Sequence, residues 1–212
     1  MTATPAPRQA KRGRPGYDLE TLLNVAVRLF NERGYDGTSM EDLSRKLGIT
    51  KSAIYYHVPS KEELLRLAVD RALDGLFAVA DEVQAGEGRA MAQLENLVRG
   101  SVRLLVRELP FVTLLLRVRG NTKVERAALT RRRDFDRLVT DLVTRARDEG
   151  DLRADIDPAT TSRLLFGMVN SLIEWYRPRG AGDVDIAETI VAVAFDGLRV
   201  RSDTGRQGHL DA

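Results

Sequence analysis

One short segment, residues 51–57, combines side chains that are typical of contact with DNA. Its sequence, KSAIYYH, has a lysine, a serine, two tyrosines and a histidine but no carboxylate. Such groups bind phosphates and base edges in the major groove, whereas phosphates repel carboxylates. If Ala53 and Ile54 face inward, the side chains left for DNA are Thr50, Lys51, Ser52, Tyr55, Tyr56 and His57. An acid-free surface with two tyrosines is hard to explain as ordinary solvation.

The elements around this segment form a helix-turn-helix pattern. Thr38 and Glu41 have the spacing of a capping box, which predicts a short helix that ends at Gly48. A second short helix follows from Lys51 to Val58 and is closed by Pro59. The turn between them contains a glycine, so the two helices can meet at a steep angle, and the second helix of such a pair enters the major groove.

Two further helices flank this pattern. Asp18 can cap a first helix that ends at Gly34, and Ser60 with Glu63 forms a second capping box that starts a long fourth helix. Residues 1–60 carry nine basic and six acidic side chains, against 24 and 25 in the rest of the chain, so the N-terminal end is the cationic end.

A basic arm precedes the first helix. Residues 1–16 are rich in proline and glycine, which discourage a helix. Arg12 and Arg14 in this arm are candidates for contact with phosphates or with the minor groove. An ordinary solvated tail is the alternative when the arm is considered alone.

The rest of the chain is also helical. No segment alternates as a strand does, so the sequence predicts an all-α fold of about nine helices. Longer helices are expected near residues 89–108, 110–119, 123–149, 158–177 and 184–200. The predicted organisation is a flexible arm at 1–16, a three-helix head with the helix-turn-helix at 17–64, a larger helical body at 65–200 and a mobile tail at 201–212.

Composition disfavours several classes of protein. With no cysteine and two histidines far apart in sequence, no metal site or cofactor is predicted. The longest uncharged stretch in the helical middle, residues 164–173, is about half of a bilayer span, and the basic N-terminus lacks an apolar signal region, so a cytoplasmic protein is expected. No phosphate-binding loop or Ser-His-Asp group can be assembled, and adjacent carboxylates such as Glu62 and Glu63 point in different directions, so no enzyme is expected.

Around the helix-turn-helix the chain resembles the TetR/AcrR family of one-component bacterial repressors. The matching residues are 26–40 (AVRLFNERGYDGTSM), 47–49 (LGI) and 54–65 (IYYHVPSKEELL), with Val58 in place of the family's usual aromatic residue. The resemblance implies a set of roles on DNA: a helix cap at a phosphate for Thr38, the start of the recognition helix for Thr50 and Lys51, backbone contacts for Tyr56 and Lys61, and base contacts for Ser52 and Tyr55.

A single short recognition helix reads too few base pairs for specificity, so such a protein is expected to bind a palindromic operator as a homodimer. The last two helices carry apolar stripes, and the resemblance implies that these helices pair with their symmetry mates as a four-helix bundle. The predicted interface residues are Leu165, Met168, Leu172, Ile190 and Ala194. The alternative is that a stripe packs inside its own subunit.

The resemblance also implies that the body encloses an effector pocket and that ligand binding moves the fourth helix and the two heads. The predicted pocket residues are Arg117, Arg119, Phe135, Asn170 and Glu174. Asn170 and Glu174 are four residues apart and share a helix face, although an internal pair with a nearby arginine explains them equally well.

A looser resemblance concerns the effector. Residues 167–178 are similar to the eighth helix of TetR-like regulators of acyl-CoA, fatty-acid and aromatic-acid catabolism. This resemblance implies that the effector is an acyl-CoA thioester or a related acid. Such an effector needs an apolar channel for its acyl chain and cationic side chains for its phosphates. The arginines that could supply the cations include Arg131, Arg132, Arg133 and Arg137. A hydrophobic drug-like molecule is the alternative effector.

The function predicted from the sequence is therefore a ligand-responsive transcriptional repressor that an effector releases from operator DNA. The alternative is a helical interaction or structural protein without specific DNA binding. That alternative leaves the tyrosine-bearing helix and the basic arm unexplained.

Overall fold

The computed structural model describes residues 18–177 and 185–196, and every helix or strand assigned in these ranges is an α-helix. The helices are α1 (Leu19–Arg33), α2 (Met40–Leu47), α3 (Lys51–His57), α4 (Lys61–Ala85), α5 (Ala90–Arg107), α6 (Leu109–Arg117), α7 (Lys123–Asp148), α8 (Pro158–Trp175) and α9 (Ile186–Asp196). The predicted all-α class is confirmed. The predicted arm and tail, and with the arm Arg12 and Arg14, lie outside the described residues.

Side-chain caps determine where the helices of the head begin. The Asp18 carboxylate accepts a hydrogen bond from the Thr21 amide at 2.8 Å, and Gly34 ends α1 with a φ of 80° that favours glycine. At the start of α4 the Ser60 hydroxyl accepts a hydrogen bond from the Glu63 amide at 3.1 Å. These three boundaries agree with the sequence prediction.

The start of α2 differs from the prediction by one residue. Ser39 is the cap: its hydroxyl accepts from the Asp42 amide at 3.1 Å, and the Asp42 carboxylate accepts from the Ser39 amide at 3.0 Å. Thr38 is buried, and its hydroxyl is already bonded to carbonyl oxygens at the end of α1. The predicted capping box of Thr38 and Glu41 is therefore wrong, because the threonine hydroxyl is used inside the α1–α2 connection.

The apolar core of the head extends beyond its own helices. Leu43 of α2 and Ile54 of α3 are completely buried in it. Phe111, Leu114 and Leu115 of α6 belong to the same apolar cluster. The head is therefore packed onto the body through α6.

Two glycines bring α4 and α5 close together. A Cβ at Gly100 would lie 2.5 Å from Cγ1 of Val79, and a Cβ at Gly75 would lie 2.8 Å from Cδ1 of Leu104. Any larger residue would force these close-packed helices to shift. The two glycines therefore fix the distance between α4, which runs from the head into the body, and α5.

The residues predicted for the dimer interface face the inside of the subunit. Leu165, Leu172, Ile190 and Ala194 are buried in the chain's own body core, and Met168 is half-buried against that core. The prediction is wrong for the four buried residues, because neighbouring apolar residues occupy two faces of a helix and the inner face fills the core. For the partly exposed Met168 it stays a prediction. The exposed apolar side chains on these two helices are Leu164 (69%), Trp175 (57%) and Val193 (66%).

The described part of the chain contains neither a membrane-spanning helix nor a cluster of metal-binding side chains. No helix there is both long enough and apolar enough to span a membrane. The same residues contain no group of three or more histidine, aspartate or glutamate side chains placed to hold a metal ion.

Candidate DNA-binding helix and interior cavity

The structure anchors one side of α3 in the head and exposes the other. Thr50 caps the helix, since its hydroxyl accepts a hydrogen bond from the amide of the third helical residue at 3.2 Å. Ile54 is completely buried, whereas Ser52 lies on the surface and Tyr55 and Tyr56 are 50% and 87% exposed. The hydroxyl-bearing side chains singled out in the sequence therefore lie outside the core.

Lys51 at the start of α3 is paired with a carboxylate of α2. Its Nζ lies 2.8 Å from Oε2 of Glu41. This hydrogen bond raises the pKa of the Lys51 ammonium and lowers the pKa of the Glu41 carboxyl. The expectation of an acid-free surface holds for α3 but not for its surroundings, because Glu41 comes from the neighbouring helix. A DNA phosphate must compete with Glu41 for Lys51.

His57 ends α3 and is half-buried. Its ring packs edge-on against Tyr56, with the two ring centroids 5.3 Å apart. This contact restrains the tyrosine ring, which otherwise projects into solvent.

Lys61, predicted to contact the DNA backbone, holds the α1–α2 connection instead. Its Nζ donates to the carbonyl oxygens of Tyr35 at 2.8 Å and Thr38 at 2.9 Å, and it lies 4.1 Å from the centroid of the Tyr35 ring. Thr38 is buried in the same place. We therefore correct the assignment of Thr38, which is too buried to reach a phosphate. Lys61 uses two of its three donors in this connection, and its contact with the DNA backbone stays a prediction.

The body contains an interior cavity of about 60 Å³ between α4, α5, α6, α7 and α8. Its wall is mainly apolar, and Phe135 projects from the centre of α7, edge-on to Phe166 at 5.2 Å between ring centroids. Asn170 also lines it. Two of the predicted pocket residues, Phe135 and Asn170, are thus brought together at this cavity.

The other three predicted pocket residues lie elsewhere. Arg117 donates to the backbone oxygen of Asn31 in the head at 3.0 Å. Arg119 follows α6 on the surface, and Glu174 is exposed one helical turn beyond Asn170. Arg117, Arg119 and Glu174 do not line this cavity, because charge and helix periodicity do not show where a cavity ends, and their contact with an effector stays a prediction.

Three polar side chains that were not among the predicted pocket residues line the cavity: Ser101 of α5, Arg132 of α7 and Asp136 of α7. Burial raises the pKa of the Asp136 carboxyl, and the charges of Arg132 and Arg163 oppose that rise. A sequence signal for Ser101 exists, because it is a polar residue within the apolar stripe of α5. Arg132 and Asp136 could not be singled out from the sequence, because residues 131–137 (RRRDFDR) are almost all charged.

Arg71 on α4 joins the head to the body. Its Nη1 lies 2.6 Å from Oε1 of Glu20 on α1, and its Nε lies 2.8 Å from Oε2 of Glu108 between α5 and α6. The guanidinium also lies 4.2 Å from the centroid of the Phe111 ring. One cation thus ties together α1, α4 and the start of α6.

An exposed, capped second helix of a helix-turn-helix, mounted on a helical body with an interior cavity, is the architecture of a DNA-binding regulator. Residues 22–68 match the family model "Bacterial regulatory proteins, tetR family". Residues 87–198 match the model "Tetracyclin repressor-like, C-terminal domain". The chain belongs to the TetR family of bacterial transcriptional regulators.

Several relatives are similar along most of their length. The transcriptional repressor KstR2 of Rhodococcus jostii strain RHA1 is 30% identical over 199 residues, which cover 92% of this chain and 97% of the relative. The crystal structure of SCO3833, a TetR-family member from Streptomyces coelicolor A3, is 54% identical, with a TM-score of 0.79 over 86% of this chain and 92% of that one. AibR, solved in complex with isovaleryl coenzyme A and operator DNA, is 26% identical, with a TM-score of 0.70 over 83% and 97% of the two chains.

Proposed function

We propose that this protein is a ligand-responsive transcriptional repressor. Two copies bind a palindromic operator through α3, and a small molecule in the body releases the DNA. The head of residues 17–64 binds DNA, and the body of residues 65–200 binds the effector and forms the dimer. The exposed face of α3, opposite the buried Ile54, is the observation that carries this proposal.

The surface of α3 favours DNA over a protein partner. Thr50 and Ser52 offer hydroxyl groups and Lys51 offers a cation at the N-terminal end of the helix, which meets base edges in helix-turn-helix complexes. Tyr55 and Tyr56 add two hydroxyl groups further along its exposed side. We assign Ser52 and Tyr55 to bases. KstR2 is named a transcriptional repressor, which supports repression as the regulatory outcome.

Dimerisation is assigned to the outer faces of α8 and α9. Leu164, Trp175 and Val193 are exposed large apolar side chains on these two helices, and exposed apolar surface of this kind is a candidate interaction site. A second copy of the chain is the occupant that gives two recognition helices the two-fold symmetry of a palindrome.

The effector is assigned to the class of acyl-CoA thioesters or related acids. The isovaleryl coenzyme A in the AibR complex supports this class. Arg132 at the cavity offers a cation, and the apolar wall around Phe135 suits an acyl group. The apolar wall also favours the second candidate, a small hydrophobic drug-like molecule without an anionic part.

A mobility-shift assay on the DNA upstream of the protein's own gene tests the proposal. Lys51→Met should weaken binding to all sequences and reduce the slope of log K against log salt by about 0.9, because one phosphate contact is lost. Glu41→Gln should strengthen binding, since it releases Lys51 from its ion pair. Arg153→Met is the matched control, because it removes an exposed ion pair on the body, Arg153 with Asp155 at 2.7 Å.

The outcomes separate the classes of function. A complex that shuffled competitor DNA removes completely would refute the regulator and favour a helical interaction protein. If Lys51→Met and Arg153→Met changed DNA binding equally, the proposal that α3 contacts DNA would be refuted. Ser52→Ala and Tyr55→Phe should change the order of preference among operator variants, and a uniform loss would contradict their assignment to bases.

A further inference from the structure

Ser101 is an unsatisfied polar group in the wall of the apolar cavity. It is only 3% exposed, and its Oγ has no hydrogen-bond partner among the described residues. A buried hydroxyl without a partner is unfavourable, so side chains of this kind are normally bonded. The Ser101 hydroxyl is therefore available to a polar atom of a bound molecule.

A second, wider space lies next to this cavity. A cleft of about 390 Å³ between α7 and α8 is lined by Arg133, Arg137 and Arg163, together with Asp136 and Asp141. Asp136 lines both the cleft and the interior cavity. Asp136 is therefore part of the lining of both spaces.

The two spaces differ in their chemistry. The cavity is apolar apart from Ser101, Asn170 and the Arg132–Asp136 corner, whereas the cleft carries three arginines against two carboxylates. Arg137 is held by Asp134 at 2.7 Å. Arg163 is exposed and donates no hydrogen bond within the part of the chain that the structure describes. The cleft therefore has room for an anion at Arg163.

We propose that the effector is a two-part anion: a short acyl group fills the cavity with its carbonyl oxygen accepting a hydrogen bond from Ser101, and the anionic remainder lies in the α7–α8 cleft against Arg163. This inference rests on the proposed effector site of the body and specifies the size of the acyl group, its polar partner and the side from which it enters. In this arrangement the bound molecule passes Asp136, whose carboxylate opposes the anion.

The volume of the cavity sets the size of the acyl group. A space of about 60 Å³ corresponds to about four to six water-sized groups, because one such group needs about 10–15 Å³ in this measure. A branched four- or five-carbon acyl group matches this volume, whereas a long fatty acyl chain exceeds it. Isovaleryl coenzyme A is therefore the probe of choice, with coenzyme A and isovalerate as its two separate parts.

Isothermal titration of the full chain with these three compounds tests the proposal. Isovaleryl coenzyme A should bind at least about tenfold more tightly than either part, because each part makes only one set of contacts. Ser101→Ala should weaken the thioester about threefold to tenfold and leave coenzyme A unchanged. Arg163→Gln should weaken both about fivefold, and Asp136→Asn should strengthen both. Palmitoyl coenzyme A should bind more weakly than the isovaleryl thioester.

Arg153→Gln, on the α7–α8 connection and outside the residues that line the cleft, should change none of the affinities. Ser101→Ala should melt no lower than the native chain, since its hydroxyl has no partner to lose. Failure of isovaleryl, butyryl and hexanoyl coenzyme A to bind overturns the two-part site, as does unchanged affinity in both Ser101→Ala and Arg163→Gln. Thioester binding without DNA release refutes the repressor mechanism instead and leaves this site standing.

Discussion

Replacing Arg71 by methionine tests whether the head and body are held together as the structure indicates. Methionine keeps most of the apolar stem and removes the guanidinium, which contacts Glu20, Glu108 and the Phe111 ring. The Glu20 pair is exposed and contributes about 0.2–1 kcal/mol. Glu108 is different, because its side chain is only 14% exposed, and after loss of Arg71 its one remaining cationic partner among the described residues would be Arg107, at 3.6 Å.

The expected loss follows from these contacts. A hydrogen bond between charged partners contributes about 1.5–3 kcal/mol, and a partly exposed cation–π contact about 0.5–1 kcal/mol. Arg71 is itself one-third exposed, so the lower end applies, and we expect the free energy of unfolding to fall by about 2 kcal/mol. For a chain of this size the melting temperature should fall by about 4–8 °C.

The assay is thermal unfolding followed by circular dichroism, with Arg66→Met as the matched control. Arg66 lies on the same helix and is also paired twice, with Glu63 at 2.6 Å and Asp70 at 2.9 Å, but both partners belong to α4 and the group is more exposed. Its loss should lower the melting temperature by no more than about 2 °C. Equal shifts in the two variants would refute the view that Arg71 fastens α1 and α6 to α4.

Three further predictions concern the proposed dimer and the pH dependence of stability. Val193→Glu should convert the dimer to monomer in sedimentation analysis while Glu188→Gln does not; a persistent dimer would place the interface elsewhere. Hydrogen bonds from Thr160 lower the pKa of Asp157 below 3.8, so its stabilisation of α8 is full above that pH and is lost as the pH falls through the folded-state pKa. Asp157→Asn, which caps without titrating, should reduce the fall in melting temperature below about pH 4. Asp136 has the opposite sign: its pKa is raised, so Asp136→Asn should stabilise the protein at neutral pH and lose that advantage in acid.

Local signals in the sequence were sufficient for most of the helix ends in the head. Asp18, Gly34, Gly48 and Ser60 mark helix ends because caps and glycine turns act over three or four residues. The cap of α2 was misplaced by one residue because Thr38 and its neighbour both carry hydroxyls, and only tertiary contacts decide which one is free.

Contacts between distant elements were not predictable in this way. The pair of Lys51 with Glu41 depends on the angle between α2 and α3, which no local pattern specifies. The apolar residues of α8 occupy two faces of the helix. Which face is buried in the chain's own core depends on where α5 and α7 pack, and the sequence does not show this. Among the arginines of the body, Arg132 reaches the cavity and Arg117 reaches the head, although both are basic residues next to apolar neighbours.

The continuation of the head core into α6 limits how this regulator can be recombined. A fragment that stops at residue 64 would leave uncovered the apolar surface that Phe111, Leu114 and Leu115 occupy in the full chain, and we expect it to aggregate. For the same reason, a chimera that joins this body to the DNA-binding domain of another repressor needs a domain whose apolar surface fits these three side chains. The fit between the head and the apolar side chains of α6 therefore limits which heads can be combined with this body.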